Sequence, residues 1–149
     1  KVGWGGGLRE SGLDADEQYS HFSMWCMLSS PLLLGCDLGS MDDFTLGLVK
    51  NAEVLAVSQD GAGEAAKVVS KADEVEIWVK ELADGSRAVG VFNRDEVMDK
   101  DVRVDFGRIG VEGVARVRDL WRCKDLGEFE GGFEVLTVSH GVRLLRVWE

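Results

Sequence analysis

The residues of this chain that could do chemistry are few and scattered. The clearest candidate is Asp37, which follows the apolar run 31–36, PLLLGC. A run that is apolar on both faces predicts a strand buried in a parallel sheet, and the functional groups of α/β folds lie at the carboxyl ends of such strands. Asp60 and Asp119 stand beside predicted turns, where a carboxylate usually accepts hydrogen bonds from backbone N–H groups. We expect these two aspartates to be structural.

The histidines and cysteines form no recognisable metal or nucleophile pattern. His21 and His140 are far apart, and neither belongs to an H-x-x-x-H or H-E-x-x-H pattern. Cys26, Cys36 and Cys123 are an odd number without C-x-x-C spacing, so neither a zinc site nor a disulfide framework is indicated. We expect each cysteine to be a small buried apolar residue, His21 to be a hydrogen-bonded structural histidine, and the chain to need no metal or other cofactor.

Composition and charge narrow the possible partners. The 149 residues are 45% hydrophobic and include 27 acidic against 17 basic side chains, a formal net charge of −10. This charge would repel nucleic-acid phosphates and an anionic membrane surface, and no apolar run approaches the roughly 20 residues that span a bilayer. We expect no nucleic-acid and no membrane partner. The first residues lack the apolar core of a signal peptide, and the chain does not begin with Met, so we expect the natural N-terminus to lie upstream.

The first 62 residues have the pattern of an α/β structure. Asp14 and Glu17 form a capping-box pattern that predicts the start of a helix. Pro31 should end that helix, since the residue before a proline disfavours helical geometry. The buried strand 31–36 follows, and Ser40 with Asp43 predicts a second helix. After it, a short apolar stretch at 54–57 leads to the turn at 58–61. Helix, buried strand and helix indicate an α/β barrel or a doubly wound sheet.

The rest of the chain has the pattern of an antiparallel β-structure. Short segments alternate between apolar and charged residues and are separated by turn residues, which indicates strands with one buried and one wet face. About seven such strands predict a small sandwich. The predicted strands lie near 66–70, 75–82, 87–93, 101–106, 114–121, 132–138 and 141–148. On one shared, partly buried face we expect Val75, Ile77, Val89, Val91, Val102, Val104, Val114 and Val117.

Several motifs, in order along nearly the whole chain, resemble the α-galactosidases of glycoside hydrolase family 27. They are GLDADEQYSHFSMW at 12–25, PLLLGCDL at 31–38, NAEVLAVSQD at 51–60, VEIW at 75–78, RDLW at 118–121, KDLG at 124–127 and SHGV at 139–142. Motifs found together in one order are far more specific than any one of them. The resemblance implies the C-terminal end of a (β/α)₈ barrel at residues 1–62, followed by the family's C-terminal β-sandwich domain at residues 63–149.

The resemblance also places the family's chemistry outside this chain. Family members retain configuration by means of two aspartates, on the fourth and sixth barrel strands, that act about 5–5.5 Å apart. Residues 31–37 would be the eighth strand, so both aspartates would precede Lys1. We therefore assign no catalytic, cofactor-binding or metal residue here. The parent protein is expected to be a glycosidase acting on an α-galactoside, and the 149-residue chain alone is expected to be inactive.

The resemblance leaves the exact function open. The implied activity is release of terminal α-linked galactose from oligosaccharides, glycoconjugates or galactomannan. An α-N-acetylgalactosaminidase is the alternative within the class, and a non-catalytic sugar-binding or docking β-sandwich is the alternative outside it. Residues 1–61 argue against a docking module, because such a module does not need a buried strand with flanking helices. The family implies a secreted or lysosome-like location, and the oligomeric state is left open.

Individual side chains have both a functional and a structural interpretation. Asp37 has no catalytic role in the family, so we expect it to accept hydrogen bonds from the backbone or a helix terminus. Trp4, beside Gly5–Gly7, could stack on a sugar in the loop after the seventh strand, although an incidental loop residue is the simpler interpretation. Trp78, Trp121 and Trp148 could be sugar platforms or core residues. Burial in the core is favoured for Trp78, which lies between Ile77 and Val79.

These assignments predict how the chain behaves alone. An incomplete barrel leaves the strand 31–36 with an unpaired edge beside apolar side chains, which invites association. We therefore expect residues 1–149 to be unstable or self-associating. The sandwich holds its own strands, so residues 64–149 should keep their structure without residues 1–61.

Overall fold

The computed structural model describes residues 2–3 and 8–149. A short antiparallel ribbon, β1 (Val2–Gly3) with β2 (Leu8–Arg9), precedes the first helix. Three helices follow, α1 (Ala15–Met27), α2 (Asp43–Lys50) and α3 (Ala52–Ser58), with a 3₁₀ turn at Leu38–Ser40. Trp4 and Gly5–Gly7 lie outside the described residues, so the interpretation of Trp4 stays a prediction.

The start of α1 confirms the capping box. The Asp14 side chain accepts a hydrogen bond from the Glu17 N–H at 2.9 Å, and Glu17 Oε2 accepts one from the Asp14 N–H at 2.9 Å. Each side chain thus satisfies a backbone donor that the first helical turn leaves free. The helix ends at Met27, before Pro31, as the sequence predicts.

The prediction of a buried strand at 31–36 is wrong. Residues 31–35 are neither helix nor strand, Cys36 forms only an isolated bridge, and the Leu33 side chain is 90% exposed. All strand pairs within the described residues are antiparallel. A parallel strand cannot form here because the described chain supplies no parallel neighbour to satisfy its backbone N–H and C=O groups.

The second helix begins slightly later than expected, and the stretch at 54–57 is helical. Asp42, rather than Ser40, caps α2 by accepting a hydrogen bond from the Thr45 N–H at 2.7 Å. Ser40 lies in the preceding 3₁₀ turn. Asn51 caps α3 by accepting from the N–H groups of Glu53 and Val54 at 3.0 and 3.1 Å.

Residues 67–148 form the predicted antiparallel sandwich. Six strands form one sheet in the order β3-β4-β5-β10-β7-β8, and β6 pairs with β9 in a second sheet. One short helix, α4 (Phe106–Ile109), follows β6. The strands are β3 (Lys67–Ala72), β4 (Val75–Glu81), β5 (Arg87–Asn93), β6 (Lys100–Asp105), β7 (Val114–Asp119), β8 (Lys124–Glu130), β9 (Gly132–Thr137) and β10 (Val142–Trp148).

The central strands of the six-stranded sheet are covered on both faces, which gives the molecule three layers. The inner face packs against β6, β9 and α4 around a core that includes Val89, Val104 and Leu145. The outer face packs against α1 and α3 around a second core that includes Met27, Val54 and Leu144. The second core therefore contains residues from both sides of the boundary predicted at 62.

Two expectations about burial need correction. Every residue of β5 from Ala88 to Asn93 is buried, so this strand has no wet face, because helices cover the side that the alternation left for solvent. Val114 is 55% exposed, whereas the other valines and the isoleucine expected on the shared face belong to the inner core. Val114 and Val117 are three residues apart, and such residues of one strand point to opposite faces.

Candidate functional site

The polar side chains that the fold brings together lie where α1 and α3 meet the outer face of the six-stranded sheet. Lys80, on β4, is only 1% exposed. Its Nζ donates to the Ser29 hydroxyl at 2.7 Å and to the carbonyl oxygens of Cys26 and Val57. Cys26 is in the last turn of α1 and Val57 in the last turn of α3. One ammonium group therefore joins the carboxyl ends of both helices, where the helix dipole favours a positive charge.

A groove with a volume of about 550 Å³ runs beside this contact, between α1 and the strands β4 and β5. It is lined by Glu17, Ser20, Met24, Glu76, Trp78, Phe92, Asn93, Arg94 and His140. The Trp78 and Phe92 rings meet edge to face, with centroids 6.0 Å apart. Trp78 packs against the outer core but is only half-buried and also lines the groove, so the core interpretation is confirmed in part.

Glu76 is the buried acid of the groove. One carboxylate oxygen lies 2.8 Å from both Lys71 Nζ and Arg94 Nη1, and the other accepts a hydrogen bond from the Trp78 indole at 3.1 Å. These bonds, from Lys71 first and Arg94 second, lower the pKa of Glu76 to about 2 despite the opposing effect of burial. Glu76 is therefore a permanently charged anion that orients the indole. It is unsuited to be a general acid, since a general acid needs a pKa near the working pH.

The two outer helices are tied to the other end of the sheet by polar and aromatic contacts. Arg118 on β7 makes two hydrogen bonds to Glu53 on α3, at 2.6 and 2.7 Å, and these lower the pKa of Glu53. The Trp121 indole donates to the buried Ser23 hydroxyl of α1 at 2.8 Å, and its ring meets Tyr19 with centroids 4.7 Å apart. Paired groups of this kind hold an interface together.

The carboxylates singled out in the sequence have the structural roles expected of them. Asp37 accepts hydrogen bonds from the Gly39 N–H at 3.0 Å and from the Ser40 hydroxyl. Asp60 accepts from the N–H groups of Ala62 and Ala83, both at 3.0 Å. Asp119 is buried and accepts from the Arg122 N–H at 3.0 Å and from two guanidinium groups.

The structure confirms some of the expectations for the histidine, cysteine and tryptophan candidates and corrects others. His21 is hydrogen-bonded, since its Nε2 accepts from the Trp25 indole at 2.9 Å. Cys26 is buried, and burial raises the pKa of its thiol to about 11, whereas Cys36 is half-buried and Cys123 is exposed. Cys123 lies in a tight turn with φ of 49°, and its thiol donates to the Leu120 carbonyl oxygen at 3.5 Å. Trp121 and Trp148 are half-buried, and Arg116 lies 4.4 Å above the Trp148 ring.

Lys80 and Glu76 are the site residues that the sequence did not reveal. A signal was present in β4, where Val75, Ile77 and Val79 define one face and Glu76, Trp78 and Lys80 share the other. A large aromatic residue between two charged ones on the supposedly wet face was a sign that this face is covered. Within residues 2–3 and 8–149, three or more His, Cys, Asp or Glu side chains do not gather as a metal-binding group would. The described helices are too short or too polar to cross a membrane.

Comparison with known proteins connects this architecture to one family. Residues 72–147 match the alpha galactosidase C-terminal beta sandwich domain. An α-galactosidase of Cyamopsis tetragonoloba is 36% identical over 135 residues, which are 89% of this chain and 33% of that protein. Among curated relatives such as this, the chain thus spans about a third of the length.

Solved structures that resemble this chain come from the same kind of enzyme as its sequence relatives. The crystal structure of α-galactosidase I from Mortierella vinacea superposes with a TM-score of 0.88 at 28% identity, over 93% of this chain and 36% of that one. A family 27 β-L-arabinopyranosidase from Geobacillus stearothermophilus gives the same TM-score at 30% identity, over 95% of this chain and 32% of that one. Helices and sandwich match together, and the chain therefore belongs to glycoside hydrolase family 27, whose C-terminal β-sandwich domain it contains.

Proposed function

We propose that this chain is the C-terminal part of a retaining glycoside hydrolase that releases terminal α-linked galactose from oligosaccharides, glycoconjugates or galactomannan. The observation that carries the proposal is the span of the match. Relatives named α-galactosidase align with 89% of the chain at 36% and 38% identity, through the helices as well as the sandwich. A sugar-binding or docking module alone would account for residues 72–147 and leave the helical part unexplained.

In this proposal the chain supports the catalytic region and does not perform the reaction. At the junction of helices and sheet, Glu76 pairs with Lys71 and Arg94, and Glu53 pairs with Arg118. A nucleophile and an acid–base carboxylate must face a shared substrate position about 5–5.5 Å apart in a retaining enzyme. The resemblance assigns both carboxylates to strands that precede the motifs found here, so the substrate would be held largely by residues outside the chain.

A β-L-arabinopyranosidase is a second candidate, and a specific observation favours it. The Geobacillus stearothermophilus enzyme of that activity matches 95% of the chain at 30% identity. The two sugars have the same ring and differ by the hydroxymethyl group of galactose, so a small change in a pocket can exchange the activities. The structural match to an α-N-acetylgalactosaminidase, from Bacillus halodurans, is only 22% identical. At that identity the match supports the fold alone.

The experiment has two arms. The 149-residue chain, assayed with an aryl α-galactoside, is expected to give no turnover above buffer. Turnover that survives purification and is abolished by a substitution within the chain would contradict this expectation. The genomic DNA upstream of Lys1 is then read for a Lys-Tyr-Asp strand motif, and the extended protein is assayed with aryl α-galactoside, α-N-acetylgalactosaminide and β-L-arabinopyranoside. Preferential cleavage of the α-galactoside supports the proposal, and an upstream sequence without the motif overturns it.

A further inference from the structure

The turn between β9 and β10 touches α1 through His140. The imidazole Nδ1 lies 3.0 Å from Glu17 Oε1, and the His140 carbonyl oxygen accepts a hydrogen bond from the Ser20 hydroxyl at 2.7 Å. The turn itself is held by the sandwich, because the Asn93 N–H donates to the Gly141 carbonyl at 3.0 Å. His140 therefore stands between a helix and a turn that are each fixed by their own contacts.

Glu17 presents its charge to His140 in a fixed position. Its Oε2 is used in the capping box with Asp14, which leaves Oε1 for the imidazole. The two side chains are about one-third exposed, at 34% for His140 and 30% for Glu17. The contact is thus partly shielded from water, yet a proton can reach the ring. His140 also adopts a left-handed backbone with φ of 55°, which few non-glycine residues do unless the surroundings hold them there.

The other charges near His140 are mostly acidic or already paired. From α1, Asp14 and Glu17 face the ring, and from the loop after β5, Glu96 adds a negative charge. Arg94 lines the same groove but pairs with Glu76 of β4, and Asp95 pairs with Lys100 at 3.2 Å. The hydrogen bond to Glu17, followed by the charges of Glu17, Asp14 and Glu96, raises the pKa of His140 against the opposing effect of burial.

We propose that the His140–Glu17 contact is a pH-sensitive clasp that binds α1 to the β9–β10 turn more tightly when the imidazole is protonated. The raised pKa of His140 fixes the sign of the effect. A histidine whose pKa is higher in the folded than in the unfolded chain stabilises the fold. The stabilisation is complete at pH values below the unfolded-state pKa of about 6.5. That stabilisation is lost as the pH rises through the folded-state value. The helical layer is therefore held most firmly at mildly acidic pH.

The first test is the pH dependence of thermal unfolding between pH 5.5 and 8. The chain has two histidines, so His21→Gln is a matched control. The wild type and H21Q are expected to melt about 2 °C higher at pH 5.5 than H140Q does, and all three to converge at pH 8. Glutamine is chosen because its amide can still donate a hydrogen bond to Glu17 without carrying charge. An H140Q variant that keeps the full pH dependence of the wild type would overturn the clasp.

A second measurement does not depend on the stability of any histidine variant. NMR titration of the His140 imidazole in the intact chain should give a midpoint above the ordinary histidine value of about 6.5. Glu17→Gln, which can still serve in a capping box, should lower the His140 midpoint. If E17Q leaves the His140 midpoint where it was, the carboxylate does not hold the proton and the proposal fails.

Discussion

At the scale of single residues, Lys80 carries an ammonium group that the fold buries. A charged group removed from water is costly unless hydrogen bonds and opposite partial charges compensate it. Here three oxygen atoms, two of them at helix carboxyl ends, provide that compensation. Desolvation by burial still lowers the pKa of Lys80, with the negative charge of Asp60 opposing the change. The geometry thus makes one side chain the link between two helices and the sheet.

Lys80→Met tests this link. The substitution keeps much of the side-chain length but leaves the carbonyl groups of Cys26 and Val57 without their donor. We expect a loss of about 2–4 kcal/mol in the free energy of unfolding, measured by urea denaturation at pH 7. Lys67→Met, at an exposed position of the neighbouring strand, should stay within about 0.5 kcal/mol of the wild type. Because some buried charges can be replaced by apolar groups without cost, an equally small effect for K80M would show that the ammonium does not hold the layers together.

At the scale of elements, β6 shows how alternation along the sequence can predict a strand and its bounds. β6 alternates between exposed and buried residues along Asp101–Asp105, and it lies within one residue of its predicted bounds. β8 was missed because its apolar residues, Leu126 and Phe129, are three apart and fail the period of two. The pairing of β7 with β8 shifts register there, and Gly127 has φ of 119°. A bulge restores both side chains to the inner core.

The helical part shows which features a local sequence pattern can predict and which it cannot. The caps of α1 were predictable because Asp14 and Glu17 act over three residues, within reach of a local pattern. The run 31–36 was misassigned because an apolar strand depends on neighbours that the pattern itself does not contain. Lys80 could not be assigned a role for the same reason, since its partners Cys26 and Val57 are far away in sequence. Local rules predict element starts and ends, and long-range partners decide burial.

The turn that leads from β8 to β9, between the two sheets, offers a test at the element scale. Gly132 opens β9 with φ of 147°, and a Cβ atom there would lie 2.4 Å from the Val104 carbonyl oxygen. Since that neighbour is backbone and cannot rotate away, Gly132→Ala is expected to cost about 2–4 kcal/mol in urea denaturation.

Gly47→Ala serves as the comparison for this variant. Gly47 lies inside α2 with open space around its missing Cβ, so alanine should stabilise the chain by about 0.5–1 kcal/mol through its better helix propensity. Equal effects of the two substitutions would contradict the close approach of β6 to β9.

At the scale of the whole molecule, the three layers change what is expected of the isolated sandwich. The sequence predicted that residues 64–149 would keep their structure alone, on the assumption that the sandwich has its own core and a wet outer face. The outer face is instead covered by Cys26, Met27, Val54 and Val57 of the helices. Removing residues 1–61 would expose that face together with the buried Lys80.

The expectation of self-association persists, with a different cause. The segment 31–38 forms no strand edge, yet Leu33 is 90% and Leu38 66% exposed beside other apolar side chains. Contiguous exposed apolar surface promotes association. We expect residues 1–149 to elute in size-exclusion chromatography above the mass of a monomer at high concentration. Leu33→Ser combined with Leu38→Ser should return the chain to a monomer without lowering its melting temperature, because neither side chain belongs to a core.

The stability that the helices add can be measured by comparing this double variant with residues 64–149, because the double variant is expected not to associate. The outer core and the Lys80 hydrogen bonds are intact in the longer chain and absent from the shorter one. The double variant should therefore melt several degrees above residues 64–149 by circular dichroism. The shorter chain should also bind a hydrophobic dye, because the face formed by Ala88, Leu120 and Leu144 has lost its cover. If residues 64–149 melt at or above the temperature of the longer chain and stay free of dye, the sandwich is self-sufficient and the helices add no stability to it.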